Sequence, residues 1–255
     1  MNTRYACAID GQGLQDIDPA VIITDIQEAA PKLRLTTAQS GLYDGLRLTG
    51  ARRESLAVTV TFEVHEQDTA RRKAVAQRAC EWAREGWLTI SDRPGQRLRV
   101  VCDRPPVIPS ALQWTDSLVI GFTAYALPYW QEAHPVSAFF SGQRGEATLA
   151  PAGTRESYLE AEITAESGPV NALTLAVGGR SFAFAGLGLA RGQTLSIGYD
   201  DEHRLFMRVG GASVMSRRTA ASADDLLLAP RTQNAIRIEA DNPIRATLKG
   251  RGLWR

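Results

Sequence analysis

The sequence predicts a mainly β protein in two parts: an α+β amino-terminal half with one helix on antiparallel strands, then an antiparallel β-sandwich. Three observations carry this. Apolar residues alternate with polar ones over long runs in the first half, as in Leu56, Val58, Val60, Phe62 and Val64 set against Ala57, Thr59, Thr61 and Glu63. One stretch changes to a helical period. The second half then shows short apolar-alternating runs separated by glycine turns, with no helical period, which is the pattern of a sandwich. At 255 residues the chain lies a little past the size at which single cores stop growing, which favours two domains.

Taken in order, the run from Leu56 to Val64 predicts a strand with one wet face. Asp68 or Thr69 supplies a helix N-cap. Residues 70–85 follow as the helix, with Val75, Ala79 and Trp82 on the buried stripe and Gly86 as its terminator. Residues 87–90 form a short strand, Ser91-Asp92-Arg93-Pro94-Gly95 reverses the chain, and residues 96–102 return. Leu118, Ile120, Phe122 and Ala124 alternate with Val119, Gly121, Thr123 and Tyr125, so both faces of that strand are apolar and it is central or covered by the helix.

Leu127-Pro128-Tyr129-Trp130 closes this strand, and its proline pushes the preceding residue to an extended conformation. These four residues are the expected hinge, between an amino-terminal domain of residues 1–133 and a carboxy-terminal domain of residues 134–255. Beyond it, Leu159, Ala161 and Ile163, then Leu173, Leu175 and Val177, then Leu195, Ile197 and Tyr199 mark inward faces. Gly178-Gly179 and Gly210-Gly211 offer the two left-handed positions a tight hairpin requires. Ile236 and Ile238, then Ile244, Ala246 and Leu248, complete the set as further strands.

Composition narrows the function by exclusion. With 29 basic against 28 acidic side chains there is no global attraction to polyanions, and a dedicated nucleic-acid binder would be more basic. Met1 to Ala6 lack the apolar run of a signal peptide, and the cluster from Ala20 to Ile23 is too short to span a bilayer, so the expectation is a soluble, unsecreted product. Cys7, Cys80 and Cys102 have no short-range pairing, and His65, His134 and His203 lie far apart, so reduced structural thiols are expected rather than a metal site.

No stretch carries recognisable chemistry. Gly186-Leu187-Gly188 and Gly11-Gln12-Gly13 lack the third glycine and the lysine of a phosphate loop and read as turns. Asp200-Asp201-Glu202 and Asp224-Asp225 fall in predicted turns as solvated acids. Arg71, Arg72, Lys73, Arg78 and Arg84 read as a solvated helix face, since Glu81 and Glu85 share it. Phe182 and Phe184 share one strand face and read as core rather than as a sugar-stacking platform. No catalytic, cofactor-binding or metal-binding residues are assigned, and the chain is expected not to be an enzyme.

Several of these features together resemble a known family. They are Leu46-Arg47-Leu48 and Arg52-Arg53-Glu54 leading into the long strand, the helix ending in Trp87-Leu88, Ser91-Asp92-Arg93-Pro94, and Phe122-Thr123-Ala124-Tyr125-Ala126-Leu127-Pro128-Tyr129-Trp130. Ala229-Pro230, Asn234-Ala235-Ile236 and the closing Arg251-Gly252-Leu253-Trp254 complete the likeness. The chain resembles the distal tail proteins, or baseplate hubs, of long-tailed siphovirus-type bacteriophages. Leu127 stands where that family often has an acidic residue.

The resemblance implies a structural virion protein that forms a ring with itself, generally of six copies. The amino-terminal domains would close around a channel for the genome, and galectin-like carboxy-terminal sandwiches would project outward. It implies the tail tube protein and the tail tip or hub proteins as partners, a place at the virion tail tip, and no cofactor. Sequence-specific nucleic-acid binding and membrane insertion are not expected. The alternative from another class is a carbohydrate-binding accessory module for adhesion to the host surface.

Overall fold

The structure, a computed structural model, describes residues 5–39 and 46–254, so the reading made on Met1 to Arg4 lies outside the described residues. The chain divides into two compact units, Met1–Trp130 and Gln131–Trp254. In the first, β1 (Cys7–Ile9), β2 (Gln12–Gly13), β3 (Val21–Glu28), β4 (Leu33–Gln39), β5 (Leu46–Arg53) and β6 (Leu56–Val64) precede α1 (Thr69–Trp82). After it come β7 (Gly86–Ile90), β8 (Gln96–Arg104) and β9 (Leu118–Ala124). All strands but β4 and β5 join one antiparallel sheet in the order β2-β1-β7-β8-β9-β6-β3.

The alternation in β6 does what its period dictates. Leu56, Val58, Val60, Phe62 and Val64 are buried, while β3 pairs along one edge and β9 along the other. Helix α1 lays Val75, Ala76, Ala79 and Trp82 into the same core, where the Trp82 ring meets Phe122 edge-on at 6.0 Å. Its indole N–H, which burial would otherwise leave unpaired, donates to the Gln12 carbonyl at 2.7 Å. At the other end Asp68 is the N-cap, accepting from the Ala70 and Arg71 amides at 2.7 and 3.0 Å.

Two expectations for the helix are corrected. It ends at Trp82, before Glu85, and Gly86 is not its terminator but the first residue of β7, opposite Val100. The glycine serves close approach: a Cβ there would lie 2.6 Å from the Ile9 side chain and 2.6 Å from Asp10 Oδ2. Arg72 does not belong to the solvated face. It is 5% exposed and gives Nε to the Glu66 carbonyl, Nη1 to the Leu112 carbonyl and Nη2 to the Gln67 carbonyl at 2.6 to 2.9 Å. A fixed planar fork of donors can close three loop carbonyls at once, so this arginine straps two loops to the helix. Arg71 and Arg78 remain on the wet face, at 63% and 50% side-chain exposure.

β10 (Trp130–Glu132) begins on the last residue of the first unit. The second unit contains β11 (Val136–Leu149), β12 (Ser157–Ala165), β13 (Leu173–Val177), β14 (Arg180–Phe184), β15 (Thr194–Tyr199) and β16 (Leu205–Val209). β17 (Ala212–Ser213), β18 (Leu227–Leu228), β19 (Asn234–Gly250) and β20 (Leu253–Trp254) complete it. The antiparallel order is β14-β13-β19-β12-β15-β16-β17, with β11 along the other edge of β19. The paired glycines behave as expected: Gly178 and Gly179 have φ of 55° and 83°, and Gly210 and Gly211 have 56° and 88°.

The separate strands expected at Ile236 and Ile244 are one. β19 runs for 17 residues, pairing its first part with β13, its last part with β12 and nearly its whole length with β11. Asp241, Asn242 and Pro243 lie at the change of partner, where a proline removes no needed ladder bond. Opposite them β11 bulges between Gly142 and Arg144, which gives the pair the bend needed to serve both layers of a sandwich. Ile163, Leu175, Phe182, Ile238 and Leu248 fill the core between those layers. β11 itself was assigned no strand from sequence.

Asp18 offers a test of the first unit. It is 8% exposed and accepts from the Ala20 amide at 3.0 Å and from Arg78 Nη2 at 2.8 Å, with Arg71 at 3.9 Å. The Ala20 hydrogen bond first, then Arg78 and the charge of Arg71, hold its carboxyl below the ordinary 3.8 against the opposing effect of burial. A depressed folded-state value means stability that is complete above the unfolded value and lost as pH falls through the folded one. Denaturant midpoints measured from about pH 7 to pH 3 should fall at the acid end in the native chain. Asp18→Asn should cost about 1 kcal/mol at neutral pH after allowance for screening and should flatten the acid limb. An unchanged acid limb would show that this carboxylate does not carry it.

Candidate assembly surfaces

β4 and β5 form a two-stranded ribbon that belongs to neither large sheet. It continues the β3–β6 pair: Ala29 bonds to the Ala57 carbonyl, Lys32 to the Ser55 carbonyl and Glu54 to the Lys32 carbonyl, all at 2.9 Å. Seven paired residues at about 3.3 Å each project roughly 23 Å beyond the sheet. The register sets Leu33 opposite Arg53, Leu35 opposite Ala51, Thr37 opposite Leu48 and Gln39 opposite Leu46. Opposed residues share a face, so all four leucines lie on one side. They are 55% to 68% exposed.

The reverse face is basic. Arg34 sits opposite Arg52, and Glu54 relieves the like-charge pair, with contacts of 3.2 and 3.8 Å. Exposed pairs of this kind contribute little. An isolated two-stranded ribbon is marginal in water, and a leucine face of this size is rare on a chain with nothing to cover it. Leu46-Arg47-Leu48 stands out in the sequence, and its partner strand does not. The available signal was the second alternation, Leu33-Arg34-Leu35, with Gly41 and Asp44-Gly45 between the two.

The four residues expected as a hinge behave unequally. Pro128 and Trp130 are buried, Leu127 and Tyr129 are half-buried, and the Tyr129 amide bonds to the Leu127 carbonyl at 2.8 Å. Trp130 is fully enclosed, and its indole N–H donates to Glu28 Oε2 at 2.9 Å. The same carboxylate accepts Arg93 Nε at 2.7 and 3.0 Å, while that guanidinium lies 5.3 Å from the Trp130 ring centre. One acid from the end of β3 and one arginine from the β7–β8 turn therefore hold the last residue of the first unit. Arg93 was part of a motif in the sequence; Glu28 was not singled out, and nothing local marks it.

The residues weighed for chemistry are dispersed. Phe182 and Phe184 are buried in the core at 0% and 3% exposure and offer no platform. Trp87 lies under the Arg97 guanidinium at 3.9 Å, and among the described tryptophans the most exposed is Trp114, at 55%, in the first unit. Asp200 accepts from the Glu202 and Arg204 amides inside the β15–β16 turn, and Asp225 pairs with Arg180. The three cysteines are free, with burial pushing the Cys7 thiol up to about 12. Among the described residues no group of three His, Cys, Asp or Glu is placed to hold a metal, and no helix is long and apolar enough to cross a membrane.

No family model and no curated protein matches the chain. Its fold does match solved structures. Against the SPP1 Dit protein, a hub of the adsorption apparatus in phages infecting Gram-positive hosts, the TM-score is 0.70 at 11% identity, over 97% of this chain and 98% of that one. Against a chain of the phage P2 baseplate in its activated conformation with Ca, 97% of each chain aligns at 9% identity with a TM-score of 0.49. The first likeness is a likeness of fold through both units, and it is the fold that the resemblance in the sequence implied.

The Glu28 cluster can be measured. Glu28→Ala strands the Trp130 indole N–H and the Arg93 guanidinium, and it should destabilise the first unit by about 1–2 kcal/mol. Trp130→Ala should cost about 3–5 kcal/mol through the cavity it leaves. The double variant should fall short of the sum. Strict additivity in denaturant unfolding would show that the carboxylate and the indole do not act together.

Proposed function

We propose that this chain is a structural tail component of a long-tailed phage or prophage, working as a ring that joins the tail tube to the tail tip and leaves an axial path for the genome. The observation that carries the reading is the exposed leucine face of β4–β5, on a fold shared with SPP1 Dit. A projecting ribbon and the different surface it covers on a neighbour make a head-to-tail contact, and such contacts build rings when the rotation closes. Six copies is the number the resemblance implies. The role is geometric and non-enzymatic.

The remaining features support it. A net charge of +1 suits a conduit, because a lining that neutralised many phosphates would retain what must pass. We treat residues 127–130 as a hinge between two domains, with Trp130 pinned by Glu28 and Arg93 so that any bending falls on the residues around it. The tail tube protein and the tail tip proteins are its partners, and the assembled virion is its place of action.

Leu35→Asp and Leu48→Asp test the ring. Both positions are more than half exposed, so each variant should keep the native unfolding free energy to within about 0.5 kcal/mol. Light scattering and negative-stain imaging should find annuli in the native protein and none in either variant. Annuli that survive both substitutions would remove the ribbon from the contact.

A further inference from the structure

The edges of the second unit are protected unequally. The outer edge of β14 is bonded by the segment after β17: Ala185 donates to Arg217, Thr219 to Ala183 and Ala223 to Ser181, at 2.8 to 3.1 Å between main-chain atoms. The edge of β16 is met by β17 and by the Val214 amide on the Met207 carbonyl at 2.9 Å. β11 is different: among the described strands it pairs with β19 alone, so its other edge is open along 14 residues.

Within that edge, residues 136–141 form an unguarded piece. The sequence Val136-Ser137-Ala138-Phe139-Phe140-Ser141 has no charge, no proline and no glycine, whereas exposed edges are normally blunted by such residues. Phe139 is 77% exposed, and Val136, Ala138 and Phe140 on the opposite face pack against the rim of the core. Pro135, without an amide proton, stops a ladder on one side. Gly142, with a φ of 139° at the bulge, stops it on the other.

We propose that β11 is a homotypic edge: two copies of the chain pair antiparallel through residues 136–142, with Phe139 on the two-fold axis. The register follows from the boundaries, since the stretch between Pro135 and the bulge is centred on Phe139. It sets Phe139 against Phe139 and Ser137 against Ser141 on the exposed face. On the inner face it sets Ala138 against Phe140, and it leaves Val136 opposite Gly142. Each pair keeps inward residues with inward ones, so the rim of one core continues into the next. No charged residue lies in the paired stretch, so no like charges meet across the axis. This contact is independent of the ring reading and would join two rings, or two single chains, equally well.

The test is mass and cross-linking on the full chain. Phe139→Lys places two ammonium groups at the axis and should halve the particle mass in light scattering. Phe139→Cys should form an intermolecular disulfide under mild oxidation, which Ser137→Cys alone should not. With Leu35→Asp the two readings separate: if only the ring fails, a dimer remains, and if only this inference fails, the native mass is that of one ring. A native mass unchanged by Phe139→Lys, together with no disulfide at position 139, overturns the proposal and leaves the edge to a strand of another protein.

Discussion

A β-sheet cannot leave an apolar face or a main-chain edge in water without cost, and most of this architecture follows from how that constraint is met. In the first unit β6 is sandwiched between β3 and β9, and α1 covers its apolar face. In the second, a single 17-residue strand gives ladder bonds to β13, β12 and β11, so one element ties both layers of the sandwich. Where the chain departs from the rule, on the leucine face of β4–β5 and along β11, nothing within the chain pairs with the exposed groups among the described residues. Those two departures are where function is sought, because an exposed leucine face and an open strand edge are surfaces that a second chain can cover.

What could be read in the sequence were the features with a short period. The alternation of β6, the Asp68 cap, the Val75–Ala79–Trp82 stripe and the two Gly-Gly hairpins each depend on neighbours within a few residues. β11 escaped because its burial is shallow and its inward residues include alanine and glycine, which a hydrophobic pattern underweights. β19 was split in two because Asp-Asn-Pro is a turn signal in isolation. The bulge in its partner strand lets the pair bend at this point while β19 continues unbroken.

Long-range chemistry was illegible for a different reason. Glu28, Arg93 and Trp130 meet across 65 and 102 residues of sequence, and no periodicity connects them. Arg72 looked like its basic neighbours on the helix. Its separate fate depends on three carbonyls from loops whose paths are set only after folding. In both cases the composition was visible and the partner was not.

The two open surfaces also differ in the symmetry they permit. In the proposed ring the leucine face of the ribbon covers a different surface on a neighbour, a heterologous contact that repeats until rotation closes it or a filament forms. A strand edge that is its own complement makes an isologous contact, which is satisfied after one pairing and cannot propagate. The ribbon lies in Met1–Trp130 and the β11 edge in Gln131–Trp254, so the two surfaces are carried by different units. In the proposed ring the ribbon contact would set the number of copies, and the sandwich edge would pair each copy with one further chain.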